Sequence, residues 1–248
     1  MDNLIFDIGM HDGRDTIFYL RKGFSVVGVE ANPILAKKVS DDLAEYIESG
    51  RLKILNVGLS EVSGYLPFYI NKEIDEWSSF KQEWASRGYA TEEVMVKSIT
   101  ATELLSMFGA PYYAKVDIEG WDGIVVEGLI SGNEKPKYIS YENPMPHIFE
   151  KLVSAGYKKY KFVSQLKIGE IMLPNPPVEG DLESSKELLA EGWTFASGSS
   201  GPFGEETPGR WYSAEEMRPM VHDIEEERIE AIKKSFFSEW FDMHAALA

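Results

Sequence analysis

Short apolar runs alternate with amphipathic stretches through the first two-thirds of the chain. Residues 4–8 are an apolar run ending in Asp7-Ile8-Gly9, followed by a polar turn bounded by Gly9 and Gly13 and then by Thr16-Ile17-Phe18-Tyr19-Leu20. This order predicts strand, tight loop, helix. Gly23 ends that helix, and the β-branched run 24–29 closes on Glu30, so a second strand carries a carboxylate at its C-terminal end. Pro33 suits the first turn of the next helix, which Leu35, Val39, Leu43 and Ile47 continue at helical spacing up to Gly50. Residues 52–59 read as strand three. Residues 65–70 read as a further strand, paired with 94–99 or with strand three, and the stretch 71–91 between them lacks clean periodicity. It is expected to lie as a loop or short helix over one end of the sheet.

Thr100 and Glu103 have the spacing of a capping box, which opens a short helix. Strands follow at 113–118, ending in Asp117-Ile118-Glu119-Gly120, and at 137–141, ending in Glu142-Asn143, with a crossover helix at 121–130 between them. One more helix (145–155) and strand (160–163) complete the alternation, which predicts a mostly parallel sheet covered on both faces. Residues 164–213 lose this rhythm, with Pro174, Pro176 and Pro177 and then a glycine-rich stretch. Irregular segments of that length are more often functional insertions than linkers. The loop 197–209, with Phe203 and the nearby Trp211, is expected to close over a bound acceptor. From Ser213 a second capping box, with Glu216, opens a long helical segment in which Ile229, Ile232, Phe236, Trp240 and Met243 recur at helical spacing. Phe236, Phe237, Trp240 and Phe241 are too many aromatics for a free helix, so it docks on its own core or joins two copies in a homo-oligomer. The expected division is a binding core at 1–165, a loop-rich insertion or lid at 166–212 completing the same domain, and a C-terminal helical segment at 213–248.

Composition removes several classes. Lys+Arg number 25 against 41 Asp+Glu, a net charge of −16, which is too acidic for a protein that tracks nucleic-acid phosphates. The absence of cysteine excludes a disulfide scaffold, a thiolate metal site and a thiol nucleophile. There is no signal-peptide pattern and no run approaching the ~20 apolar residues of a membrane span, so the expected location is the cytoplasm.

In open α/β sheets ligands bind beyond the carboxyl ends of the strands. Asp7 and Gly9, Glu30, Gly58, Asp117 and Glu119, and Glu142 with Asn143 fall there repeatedly. Any one of them alone is an ordinary turn residue. A glycine turn with a strand-two carboxylate, which accepts both hydroxyls of a ribose, suits either a dinucleotide or S-adenosylmethionine. A pyrophosphate requires Gly-x-Gly-x-x-Gly, whereas this chain has Met10-His11 at the close approach and the acids Asp7, Asp12 and Asp15 around it. Those acids repel phosphate and favour a sulfonium with an α-amino group. An NAD-dependent oxidoreductase is therefore the weaker reading, and a non-catalytic protein of the same fold the third.

Residues 6–16 (Phe6-Asp7-Ile8-Gly9-Met10-His11-Asp12-Gly13-Arg14-Asp15-Thr16), then Val29-Glu30-Ala31-Asn32-Pro33 and Lys115-Val116-Asp117-Ile118-Glu119-Gly120, together resemble the FkbM-type S-adenosylmethionine-dependent methyltransferases. The resemblance extends over residues 4–165. It implies a class I methyltransferase (Rossmann-like) fold with a seven-stranded, mostly parallel sheet, and O-methylation of a hydroxyl on a sugar, glycolipid or polyketide-like acceptor. His11 departs from the Asn often found there. Carried over by position, Asp7, Gly9, His11, Asp12, Gly13 and Thr16 shape the pocket around the methionine moiety and Glu30 holds the ribose. Ala31 and Asn32 flank the adenosine, Gly58 and Leu59 border the adenine, and Asp117 faces both cofactor and acceptor. A base is also required for the acceptor hydroxyl: Asp117 or Glu119 is expected to supply it directly, with His147 in reserve and no metal ion. Asp117, Glu142 and Asn143 would be the oxygen ligands if a divalent ion assisted instead. Trp121, Tyr141, Phe203 and Trp211 are expected either to form an aromatic wall for a sugar face or to pack in the core.

Overall fold

The computed structural model describes residues 3–233 and 241–247. In chain order the elements are β1 (Leu4–Ile8), α1 (Arg14–Arg21), β2 (Ser25–Val29), α2 (Pro33–Asp42), α3 (Ala44–Glu48), β3 (Leu52–Leu55), β4 (Gly58–Leu59), β5 (Gly64–Asn71) and α4 (Gln82–Ser86). They continue with β6 (Thr91–Ile99), α5 (Ala101–Phe108), β7 (Tyr113–Val116), α6 (Asp122–Ile130), β8 (Tyr138–Glu142), α7 (Pro146–Ser154), β9 (Tyr157–Ser164), α8 (Leu182–Glu191), α9 (Ala214–Lys233) and β10 (Phe241–Leu247).

Seven strands form one sheet in the order β3-β2-β1-β7-β8-β10-β9. All neighbours are parallel except β10, which runs antiparallel to both β8 and β9. The order reverses between β1 and β7, so the crevice at the switch point opens beyond Gly9 and Asp117. Alternation along the strands divides the core. Phe6, Ile8, Val116 and Ile139 pack with α5, α6, α7 and α9 on one face, while Ile5, Val26 and Tyr113 pack with α1, α8 and Phe203 on the other. A three-stranded sheet, β4-β6-β5, stands beside the main one and carries the segment between β5 and β6 over its carboxyl edge.

The local signals act as the sequence implies. Thr100 Oγ1 accepts from the Glu103 N–H while Glu103 reaches back to the Thr100 N–H. Ser213 and Glu216 do the same at α9, and Asn32 caps α2 ahead of Pro33 by accepting from the Ile34 N–H.

Two expectations are corrected. The strand expected over 52–59 is broken: β3 stays in the main sheet while β4 leaves it for the second sheet. The C-terminal helix does not continue through Met243, because residues 241–247 form β10, buried between β8 and β9. Ala245, Ala246, Met243 and His244 have the composition of a helix, and pairing on both sides overrides that preference. Of the aromatics expected on the helix, Phe241 is on this strand, and Phe236, Phe237 and Trp240 lie outside the described residues. Among the described residues no helix is long and apolar enough to cross a membrane.

Candidate active site

The first loop is held by backbone constraints before any ligand is considered. Gly9 has φ +81°, and a side chain there would fall 1.7 Å from the Asp117 carbonyl oxygen, so glycine is what lets the β1 and β7 loops touch. His11 also takes a left-handed conformation, φ 52°, which turns its N–H onto Glu30 Oε2 at 2.8 Å. The Asn32 N–H donates to the other oxygen, Oε1, at 2.7 Å. Glu30 is thus fixed at the end of β2 by two backbone donors, and burial pushes its carboxyl up from its ordinary value.

Behind the loop lies Lys115, 3% exposed. Its Nζ is 3.3 Å from Asp7, 3.4 Å from Asp15 and 3.7 Å from Asp117, and it donates to the Gly9 carbonyl at 3.0 Å. Burial opposes the ammonium charge, but the three carboxylates outweigh it and hold the proton well above the usual lysine range. Asp7 also accepts from the Thr16 hydroxyl. Asp15 fixes the distant loop at 197–201: Ser199 Oγ donates to Oδ1, and the Ser200 N–H donates to Oδ2 at 3.0 Å. Arg14, paired with Asp12 at 2.8 Å, donates to the Ser197 carbonyl.

These elements enclose a cavity of about 900 Å³ at the switch point. Gly9, His11, Glu30, Ala31, Gly58 and Leu59 line the part beyond β1, β2 and β4, and Asp117, Glu119, Glu142 and Asp242 line the part beyond β7, β8 and β10. The second group is an acidic wall. Burial pushes Glu119 up to about 7, with Asp117 and Asp122 adding to it and Arg87, which donates to Glu119 Oε2, opposing. Burial and Asp117 likewise push Asp122 up to about 7, although its oxygens accept from the Ile118 and Gly120 N–H groups. Burial and the neighbouring acids also raise Glu142 and Asp242 well above the ordinary carboxyl range.

The roof comes from residues 72–90. His11 Nε2 meets Asp75 Oδ1 at 3.0 Å, and Trp77, Phe80 and Trp84 line the cavity. Trp84 lies against the backbone of Gly120, where a side chain would come within 2.9 Å of its ring.

The residues named from sequence are therefore sorted by the fold. Gly9, His11, Glu30, Ala31, Gly58, Leu59, Asp117 and Glu119 line the cavity. Asp7, Asp12, Gly13, Thr16 and Asn32 do not: Asp7 and Thr16 brace Lys115, Asp12 pairs with Arg14, Gly13 packs its backbone on Val39, and Asn32 caps α2. His147 is exposed on the first turn of α7, outside the lining. At His11 burial would lower the imidazole, but Asp12 and Asp75 outweigh burial and push it up to about 9.

Of the two readings for the four aromatics, the packed one describes them. Phe203 is buried and stacked on Tyr113 at 4.2 Å, Tyr141 is buried, Trp211 stacks on Tyr138, and Trp121 packs on Phe80. Trp77, Phe80 and Trp84, which line the cavity, carry no periodic signal in the sequence. Sequence reasoning gave Lys115 and Asp242 no role; the Lys115-Val116-Asp117 alternation places Lys115 two positions from a site residue, on the same side of the strand, and that was the available clue to it.

The methyltransferase FkbM domain family matches residues 7–163. No curated protein matches the chain. Among solved structures, the methyltransferase FkbM of Methylobacillus flagellatus KT is similar at 16% identity and TM-score 0.40, over 57% of this chain and 33% of that one. The chain thus spans about a third of that protein's length. A SAM-dependent methyltransferase from Geobacter sulfurreducens, in complex with S-adenosyl-L-homocysteine, is similar at 11% identity and TM-score 0.41, over 99% of this chain and 84% of that one. The StiE O-MT segment 942–1257 is similar at 9% identity and TM-score 0.43, over 99% and 68%.

Proposed function

The chain belongs to the FkbM methyltransferase family, and from that premise we propose that it methylates a hydroxyl oxygen of a sugar, glycolipid or polyketide-like acceptor. The cofactor of such a methyltransferase is S-adenosylmethionine, and the residues present fit it. A buried carboxylate, Glu30, borders the cavity at the end of β2, and the acid-rich lining suits a ligand with a sulfonium and an ammonium and would repel a pyrophosphate. The observation that carries the reading is the convergence of Glu30, Gly58 and Asp117, from the ends of three different strands, on one cavity at the switch point.

When bound, the cofactor supplies an electrophilic methyl group on sulfur. Glu30 accepts from the ribose hydroxyls with the lone pairs left free by its two backbone donors. Gly58 and Leu59 border the adenine, and Gly9 and His11 shape the methionine end. Lys115 and Asp15 reach the cavity lining from beneath the first loop and keep the loops around it registered on one another. Acceptor alignment supplies most of the rate, and the hydroxyl proton passes to a carboxylate of the β7 loop. Asp117 and Glu119 both line the cavity, and Glu119, held near 7, is the better poised for proton transfer at neutral pH.

The test is S-adenosylhomocysteine release over a panel of hydroxylated acceptors, with and without a chelator. Turnover is expected to survive chelation and to rise with pH through about 7 as Glu119 loses its proton. Glu119→Gln should flatten that rise and lower kcat by about 10²- to 10⁴-fold while leaving cofactor affinity intact. Unchanged turnover in both Glu119→Gln and Asp117→Asn would remove this loop from proton transfer. Loss of activity on chelation, restored by magnesium, would make Asp117, Glu142 and Asn143 metal ligands instead.

A further inference from the structure

β7, β8, β10 and β9 are successive neighbours in the sheet, and their ends at the cavity edge bring Asp117, Glu142, Asp242 and Gln165 to one end of it. Asp242 stands directly opposite Glu142 in the antiparallel ladder. Residues so paired point to the same face with Cβ atoms roughly 4.5–5.5 Å apart, and like charges there destabilise a sheet. Three cations that line the cavity are held by other acids: Lys115 is shared by Asp7, Asp15 and Asp117, Arg87 is bound to Glu119, and Arg14 to Asp12.

A second observation comes from outside the acid pair. Gln165 is 9% exposed and lines the same cavity, and its buried Nε2 has no hydrogen-bond partner among the described residues. Arg228, on α9, also lines the cavity with a buried, unpaired Nε. Both groups are donors, so they require oxygens on whatever fills the space. A bare metal ion would satisfy the carboxylates and leave these donors unpaired.

Resting on the methyltransferase reading above, we propose that the acceptor is an amino sugar or similar hydroxylated amine whose ammonium group sits between Glu142 and Asp242 while a ring hydroxyl accepts from Gln165. The arrangement also decides which atom is methylated. An amine held between two carboxylates keeps its proton and has no lone pair to offer. The nucleophile is then a hydroxyl oxygen presented to Asp117 and Glu119: its O–C bond forms as the S–C bond of the donor breaks, and its proton goes to the carboxylate. Trp84, in the lining of the same cavity, gives the sugar ring an aromatic surface to pack on.

The experiment titrates glucosamine, N-acetylglucosamine and glucose separately into the protein saturated with S-adenosylhomocysteine, by calorimetry. Glucosamine is expected to bind at least about tenfold tighter than either neutral sugar, a charge-assisted contact being involved. Glu142→Gln and Asp242→Asn should each abolish that preference with S-adenosylhomocysteine affinity unchanged. Both substitutions relieve repulsion, so the variants should melt no lower than the parent. Equal binding of the three sugars, or no binding of glucosamine, overturns the proposal and leaves the O-methyltransferase reading standing. Magnesium binding that is lost in Glu142→Gln, without any preference for glucosamine, overturns it in favour of a metal. Failure of S-adenosylhomocysteine itself to bind is seen before any sugar is added and overturns the reading beneath it.

Discussion

Glu30 shows how one side chain acquires two duties. Its carboxylate accepts from the N–H groups of His11 and Asn32 and also borders the cavity. In Glu30→Gln, one of those acceptors becomes an NH₂ facing an N–H. The substitution should therefore weaken cofactor binding and also lower stability, by about 1–3 kcal/mol for the stranded buried donor, which is a Tm drop of about 2–4 °C per kcal/mol in a chain of this size. Calorimetric titration and thermal melting together check this; weaker binding at unchanged Tm would assign Glu30 to the ligand alone. The sequence made the position of Glu30 legible, at the end of a β-branched run. The second duty was hidden, because it depends on the left-handed backbone of His11, a non-glycine residue. Asp7, Thr16 and Asn32 lie outside the cavity lining: Asp7 meets Lys115 and accepts from Thr16, and Asn32 caps α2. A strand-end carboxylate can face the ligand or the residues behind it, and only Lys115 decides which.

Among the elements, the segment between β5 and β6 roofs the cavity, and its attachment is titratable. His11 grips Asp75 through an imidazolium that Asp12 and Asp75 hold up to about 9, against 6.5 unperturbed. A group whose folded value is raised contributes its full stabilisation below the unfolded value and loses it as pH climbs through the folded one. The roof should accordingly be firm at neutral pH and loosen between pH 6.5 and 9. Hydrogen exchange in residues 72–90, corrected for intrinsic rate, should accelerate over that interval, and His11→Gln should remove the pH dependence. This roof was readable only as an aperiodic gap over one end of the sheet, since its single 3-10 turn at Asp75–Trp77 and the five-residue α4 are too short to show a period. The longer elements, β1 through α2 and β7 through β9, declared themselves because each carries a buried stripe of its own. β10 did not, being buried on both sides with residues that favour helices.

Across the whole molecule the acids set the pH response. Glu119 and Asp122 stand at about 7, and Glu142 and Asp242 are held well above the ordinary carboxyl range, all raised by burial with neighbouring carboxylates adding to it. A raised carboxyl carries no penalty below its unfolded value and a growing one as pH climbs toward the folded value, so stability should fall from about pH 5 to pH 7.5. Each shifted unit corresponds to about 1.4 kcal/mol, and the loss of His11 stabilisation runs in the same direction. Thermal melting at pH 5.5 should exceed that at pH 7.5 by several degrees, and Glu142→Gln should narrow the difference. A flat profile would mean that the wall is neutralised in some other way.

The position of β10 has a kinetic side. β8 and β9 are joined by α7, a short connection that would let them pair directly as a local unit, yet β10 lies between them, with Asp242 opposite both Glu142 and Val163. The strand that separates these neighbours comes from far along the chain, and such distant closures are slow. Refolding is expected to regain most of its helical signal before it regains the ability to bind S-adenosylhomocysteine, because a β8–β9 pair that forms early must part again to admit the strand that carries Asp242.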